Sequence, residues 1–120
     1  MAVVSDSAFS SLNEYISTAA GRSGQPELQA ALDAARADAD EYGLSAPSVA
    51  LGSLLGTLAA SGEGGAVAMT PAAGVVGLHI LAGLPEKSNL TCIDPEADHQ
   101  ARAKATFRDA GFGPSRTRFL

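Results

Sequence analysis

The feature that most constrains the fold is a change in the hydrophobic pattern at Ala66. From there to Met69 the chain is a short apolar run bounded by glycines and a proline, which is typical of a buried parallel strand. Helical and strand patterns then alternate: a helix over Val75–Leu84, a strand over Leu90–Ile93, a helix from Pro95 that ends at Gly111, and a strand beginning over Arg116–Leu120. This order predicts an α/β fold, the β-α-β-α-β half of a doubly wound parallel sheet.

The residues before Ala66 predict three helices, with a break at Gly21–Gly24 between the first and the second. One face of the first helix carries Phe9, Leu12, Tyr15, Ile16 and Ala19. The second helix begins at Pro26 and ends at Gly43, and its apolar stripe is Leu28, Leu32, Ala35, Ala39 and Tyr42. The third helix begins at Ser48, and the residues expected to face inward are Val49, Leu51, Leu54, Leu55 and Leu58. We therefore divide the chain into an N-terminal helical segment, 1–62, and half of a Rossmann-like domain, 63–120. Because three parallel strands leave a face and both edges poorly covered, we expect a truncated fold that continues beyond Leu120.

Composition excludes several classes of function. The net charge is −5, and no cluster of Lys and Arg precedes residue 102, so a nucleic-acid partner is not expected. The N-terminus lacks the pattern of a signal peptide, and the weakly polar stretch Ala66–Leu84 is interrupted by Thr70, Pro71 and His79. With a single cysteine, Cys92, the chain suits a cytoplasmic protein that has no membrane partner.

The turn after the first strand, Thr70–Gly74, is the first candidate for a binding site. The N-terminus of the helix that follows would present backbone N–H groups and a partial positive charge to a ligand. Against the dinucleotide pattern G-x-G-x-x-G the aligned residues are Ala72, Gly74 and Gly77, and two glycines of three are weak evidence alone.

Asp94, at the end of the second strand and 20 residues after Gly74, is the second candidate. A carboxylate there can accept hydrogen bonds from the 2′- and 3′-hydroxyls of a ribose. The alternative is an N-cap for the helix beginning at Pro95. Together with the glycine turn, the position favours the ribose role.

Other reactive residues have less specific interpretations. His79 suits a packing or surface role, His99 suits the same role or an approach to an adenine ring, and Cys92 suits a buried small hydrophobe. Asp98 and Arg102 have the spacing of a helical ion pair. No zinc spacing and no Ser-His-Asp arrangement is apparent.

Several segments in order resemble one family. They are Pro47–Leu55, Gly74–Leu78, Ile93–Glu96, His99–Gln100, Ala110–Gly111 and Gly113–Arg116. Over about residues 44–120 the chain resembles the actinobacterial branch of the class I S-adenosylmethionine (SAM)-dependent O-methyltransferases, relatives of the catechol and caffeoyl-CoA enzymes.

The resemblance implies a SAM pocket. The cofactor-binding positions that it implies are Ala46, Ala68, Thr70, Pro71, Ala72, Gly74, Val76, Asp94 and Pro95. The family's first strand ends in an acidic residue followed by Gly-Thr, whereas this chain has Ala68, Thr70 and Pro71, and Val76 replaces the family's serine. Losing the charged hydrogen bond to the SAM ammonium would weaken binding by roughly one to two powers of ten.

The family's catalytic and metal-binding acidic residues follow its fourth strand. The resemblance therefore assigns no catalytic residue and no metal ligand to this chain. A divalent metal such as Mg²⁺ would be bound by the second half of the family's domain.

These observations predict a SAM-dependent O-methyltransferase, a homodimer that transfers a methyl group to a hydroxyl of a small-molecule acceptor. One alternative is an NAD(P)-dependent Rossmann oxidoreductase, which would need a glycine at Ala72. Another is a catalytically silent Rossmann-like module for binding or dimerisation, which the residues Ala68 and Thr70 favour.

Overall fold

The computed structural model describes residues 6–20 and 25–120, so the predicted break at Gly21–Gly24 lies outside the described residues. The elements in chain order are α1 (Asp6–Ala20), α2 (Pro26–Glu41), α3 (Val49–Ser61), β1 (Ala66–Ala68), α4 (Ala73–Gly83), β2 (Leu90–Cys92), α5 (Ala97–Asp109), a short 3-10 helix (Pro114–Arg116) and β3 (Thr117–Phe119). The predicted β-α-β-α-β order is therefore confirmed.

The three strands form one parallel sheet in the order β1-β2-β3. Side chains alternate between its faces. Ala68 and Cys92 are paired in register and buried, whereas Val67, one residue earlier, is 63% exposed on the other face. Helices α4 and α5 pack together on the buried side, where Phe107 of α5 stacks on Phe119 of β3. The sheet is thus covered on one face.

Helix α2 adds a further layer by packing against α4 and α5. Its predicted stripe is buried at Leu28, Leu32, Ala35 and Ala39, and these residues share one hydrophobic core with β1, β2 and α4. The division of the chain at residue 62 stays a prediction.

The prediction that Tyr42 continues this stripe is wrong, because α2 ends at Glu41 and Tyr42 is 52% exposed. The Arg102 guanidinium lies 3.6 Å from the centre of the Tyr42 ring and 4.0 Å from the Asp38 carboxylate. The predicted pair between Arg102 and Asp98 is therefore also wrong: α2 lies beside α5 and offers Arg102 an aromatic face and a carboxylate together.

The expected inward face of α3 is also wrong in part. Leu51, Leu54 and Leu58 are about half exposed, and Val49 and Leu55 are half-buried. Helix α3 instead packs through Gly52 and Gly56 onto α4. A Cβ at Gly56 would lie 2.8 Å from the carbonyl oxygen of His79, so this crossing is closer than leucine side chains would permit.

The predicted helix ends at Gly43 and Gly111 are confirmed. Both glycines have positive φ, 65° and 89°, which other residues rarely adopt. The next amide bonds back across each end: Leu44 N–H donates to the Ala39 carbonyl at 2.8 Å, and Phe112 N–H donates to the Phe107 carbonyl at 2.9 Å. These are Schellman ends, and they direct the chain toward α3 and β3.

Helix α1 contacts α3 and exposes large apolar side chains, Phe9, Leu12, Tyr15 and Ile16. Together with Leu51, Leu54 and Leu58 of α3, we call these residues the α1 and α3 apolar faces. Among residues 6–20 and 25–120, no helix is long and apolar enough to cross a membrane.

Candidate functional site

A crevice of about 260 Å³ opens where β1 and β2 end and the chain diverges toward α4 and α5. Its lining consists of Met69, Thr70, Pro71, Ile93, Asp94 and Pro95. The structure thus brings together four of the predicted site residues, Thr70, Pro71, Asp94 and Pro95. Met69 and Ile93 were not predicted, although each is the apolar residue that follows a strand and adjoins a predicted position.

All four polar groups of Asp94 are hydrogen-bonded. Its backbone N–H donates to the Leu120 carbonyl at 3.2 Å, and its backbone carbonyl accepts from Gln100 Nε2 at 2.7 Å. Its Oδ1 accepts from the Glu96 backbone N–H at 2.8 Å, and its Oδ2 lies 2.7 Å from His99 Nδ1. The sequence gives no sign of this network, because Gln100 and Leu120 meet only when α5 and β3 pack beside β2.

The Asp94 carboxylate is ionised at neutral pH although the residue is only 7% exposed. The hydrogen bond from the Glu96 N–H lowers the pKa of Asp94, the bond and charge of His99 act in the same direction, and burial opposes them. An ionised carboxylate has about four acceptor sites. Two hydrogen bonds from the protein reach it, so further acceptor sites remain on a side chain that is 8% exposed.

The alternative, in which Asp94 is the N-cap of a helix beginning at Pro95, is wrong, because α5 begins at Ala97 and its N-cap is Glu96. The Glu96 side chain makes no capping hydrogen bond. The Asp94 carboxylate instead accepts a hydrogen bond from the Glu96 backbone N–H, just before α5 begins. Because each oxygen accepts more than one hydrogen bond, this contact and a ribose contact are compatible.

The end of β1 has a different character. Ala68 and Ala72 are each 4% exposed, and the Thr70 hydroxyl accepts from the Ala72 N–H at 3.2 Å. Pro71 has no N–H. The Thr70 hydroxyl is therefore engaged within the loop, and the loop offers no charged side chain to a ligand.

The remaining predicted residues do not line the crevice. Ala46, between α2 and α3, and Val76, on α4, are partly buried against the hydrophobic core. Gly74 faces α5, where a Cβ would lie 3.4 Å from Thr106 Oγ1.

Gly77 has a clear packing role. A Cβ there would overlap the Phe107 ring and lie 3.1 Å from Leu90 Cδ2. This is the role of the third glycine in a dinucleotide motif, which lets the helix approach its neighbours closely.

The other candidate residues are structural. His79 is buried with its Nε2 3.0 Å from the Arg36 guanidinium, which also donates to the Pro47 carbonyl at 2.5 Å. Burial, and then the Arg36 charge, lowers the pKa of His79 to about 4, so the ring is neutral and accepts this hydrogen bond. Burial raises the pKa of Cys92 to about 11, which leaves an inert thiol.

Within the described residues, no three His, Cys, Asp or Glu side chains are grouped as a metal site requires. The prediction of a divalent metal rests on the resemblance alone.

Comparison with known proteins places the sequence among named relatives, although no family model matches it. A protein of Mycolicibacterium smegmatis is 46% identical over 88 residues, which are 72% of this chain and 42% of the relative. A protein of Mycobacterium ulcerans is 44% identical over 90 residues, 74% of this chain and 40% of the relative. Both are named "putative O-methyltransferase". The chain is a homologue of these proteins.

A solved structure supports the fold of this homologue. The crystal structure of a Corynebacterium glutamicum protein matches it with a TM-score of 0.82 and 51% identity, over 94% of this chain and 51% of that chain. The Rossmann-like α/β fold expected from the sequence is thereby confirmed. The chain spans about two fifths of the length of the curated relatives cited above and about half of the solved one.

Proposed function

We propose that the chain binds the nucleoside part of SAM in the crevice between the ends of β1 and β2. It would do so as part of a protein that transfers the methyl group to a hydroxyl of a small molecule. The observation that supports this most is the ionised Asp94 carboxylate, which is held in the lining of the crevice with acceptor capacity to spare. The names of the relatives support methyl transfer to oxygen in general.

Asp94 would accept hydrogen bonds from the ribose hydroxyls, and Met69, Ile93 and Pro95 would supply apolar surface to the base. The ammonium of SAM would lack the carboxylate that the resembled family has at the position of Ala68. SAM, when bound, supplies an electrophilic methyl group on a sulfonium, and the contribution of these residues is to position it. Binding is accordingly expected to be weaker than with a carboxylate at both strand ends.

The assembly and setting of the protein also belong to this proposal. We propose a cytoplasmic homodimer whose contact buries the α1 and α3 apolar faces, because exposed large apolar side chains are typical of interaction surfaces. Sedimentation equilibrium tests this: a dimer that Leu54→Asp converts to a monomer supports it, and a monomeric wild-type chain overturns it.

A second candidate is a Rossmann-like module that has no catalytic role. The specific observation in its favour is the end of β1, where Ala68 is buried and the Thr70 hydroxyl accepts a hydrogen bond from the Ala72 N–H. These contacts are typical of a packed turn and not of a loop that binds a cofactor.

Calorimetric titration with SAM, S-adenosylhomocysteine and NAD separates these functions. We expect binding of the two SAM-series ligands with Kd in roughly the micromolar range, lost in Asp94→Ala. Asp98→Ala is the matched control, since Asp98 is an exposed acid in the first turn of α5. Binding of NAD alone would indicate an oxidoreductase, and silence toward all three ligands would favour the module.

A further inference from the structure

The His99 ring is the side chain that completes the hold on Asp94. Its Nδ1 lies 2.7 Å from Oδ2, whereas the Glu96 N–H reaches Oδ1 at 2.8 Å. One hydrogen bond would leave the carboxylate free to turn about its Cβ–Cγ bond. Two bonds to different oxygens fix its plane.

We infer that His99 is a positioning residue, whose Nδ1–H keeps the Asp94 carboxylate turned so that its remaining acceptor sites face the crevice. This inference rests on the proposed function, because it gives His99 a part in binding a ribose-bearing ligand. An ionised carboxylate only accepts hydrogen bonds, so Nδ1 is the protonated nitrogen of the ring. Ligand affinity then depends on a side chain that is outside the lining of the crevice.

The surroundings of His99 fit such a role. Its side chain is 21% exposed and that of Asp94 is 8% exposed, so the ring shields the carboxylate from solvent. His99 also borders a small cavity that Asp38 of α2 and Arg102 of α5 line, and these two side chains lie 4.0 Å apart. The charged side chains around the ring are therefore Asp94, Asp38 and Arg102.

Variants of His99 test the inference through ligand affinity. His99→Phe keeps a ring and removes the donor, whereas His99→Asn keeps an N–H near the position of Nδ1. Asp98→Asn is the matched control, because Asp98 is exposed and adjoins His99 in the chain. NMR titration with adenosine and with 2′,3′-dideoxyadenosine reports the part of affinity that comes from the ribose hydroxyls.

We expect His99→Phe to weaken adenosine binding about tenfold, as for loss of one charge-assisted contact. His99→Asn should stay within about threefold of the wild type, Asp98→Asn should match it, and dideoxyadenosine should bind all four proteins equally. Unchanged adenosine affinity in His99→Phe would overturn the inference. So would an equal loss for both nucleosides, which would indicate general damage to the fold.

A readout without ligand separates this inference from the proposed function. The pKa of the Asp94 carboxyl, followed by carbon NMR, should rise in His99→Phe and stay low in His99→Asn. If the wild-type chain binds no adenosine while this pKa pattern holds, the proposed function and the ligand part of the inference fail, and the positioning contact stands. If the pKa of Asp94 does not move in His99→Phe, the positioning role fails whether or not adenosine binds.

Discussion

The two strand ends that border the crevice differ in almost every respect. At the end of β1, Ala68 is packed away from solvent and the Thr70 hydroxyl is turned back onto the loop. At the end of β2, Asp94 is ionised and is hydrogen-bonded at all four polar groups. Under the proposed function, the end of β1 would contribute packing and the end of β2 would contribute recognition, so a ligand at this sheet edge would obtain its specificity almost entirely from β2.

This difference bears on the resemblance to the O-methyltransferases. The resemblance implies that the family's acidic residue at the end of the first strand would stand at Ala68, and in the structure Ala68 is buried in the hydrophobic core. The departure at Ala68 is therefore part of a packed strand end, and the homology is compatible with a cofactor site that is reduced on one side.

The largest effect should come from restoring the acid at β1. Ala68→Asp places a carboxylate where the residue is 4% exposed, and an unpaired buried charge costs about 3–5 kcal/mol in the free energy of unfolding. Val67→Asp is the matched control one residue earlier, on the open face at 63% exposed, with an expected cost below about 1 kcal/mol. Urea unfolding measures both, and equal costs would show that the end of β1 is not closed.

The next effect concerns the packing of α4 on α5, which fixes the two strand ends relative to each other. Gly77→Ala should destabilise the chain by about 2 kcal/mol, because the added methyl group displaces the buried Phe107 ring. Gly74→Ala, on the same helix, has room beside Thr106 and should be nearly neutral. Thermal or urea unfolding of the pair decides, and a reversed order would contradict the close contact at Gly77.

His79 of α4, which lies away from the crevice, should make the stability of the chain sensitive to acid. The pKa of His79 is about 4 in the folded chain and 6.5 ordinarily, so the unfolded chain binds the proton first as the pH falls from 6.5 to 4. Stability should be full above pH 6.5 and decrease across this window by about 1.5 kcal/mol, a value reduced for partial solvent screening.

His79→Gln provides the check on this contact. Its unfolding free energy should vary less between pH 7 and pH 4.5 than that of the wild type, whereas Asp98→Asn should leave the slope unchanged. If the free energy of unfolding of His79→Gln depends on pH as strongly as that of the wild type, the acid sensitivity comes from another group, and the end of β2 would be tested next.

The smallest effect belongs to the loop after β1. Thr70→Val removes the hydroxyl that accepts from the Ala72 N–H at 3.2 Å and should cost about 1 kcal/mol. If the Thr70 hydroxyl serves only this contact within the loop, the variant should change the affinity for S-adenosylhomocysteine by less than about threefold. A loss as large as that expected for Asp94→Ala would show that both strand ends take part in recognition.

The sequence was sufficient for features that depend on local patterning. The strands at 66–68 and 90–92 lie within the short apolar runs predicted over Ala66–Met69 and Leu90–Ile93, and the helix ends at Gly43 and Gly111 follow from the conformational freedom of glycine. These features need only neighbours in the chain.

Features that depend on how close two helices approach were not predictable in this way. Periodicity assigned the inward face of α3 to its leucines, because large apolar side chains usually mark the buried side. The structure buries Gly52 there, against His79. The hydrogen bonds from His99 and Gln100 to Asp94 were missed for a similar reason, because Asp94 precedes α5 and the contacts arise only from the path of the chain between them.

We propose that the end of β2, and not the end of β1, recognises the ligand. Amide NMR spectra of the chain, recorded during titration with S-adenosylhomocysteine, test it most directly. We predict that the largest shifts fall on the amides of Ile93, Asp94 and Glu96, that the amides of Ala68, Met69, Thr70 and Ala72 shift less, and that Asp94→Asn abolishes both. Shifts centred on Ala68 to Ala72 that persist in Asp94→Asn would contradict the claim.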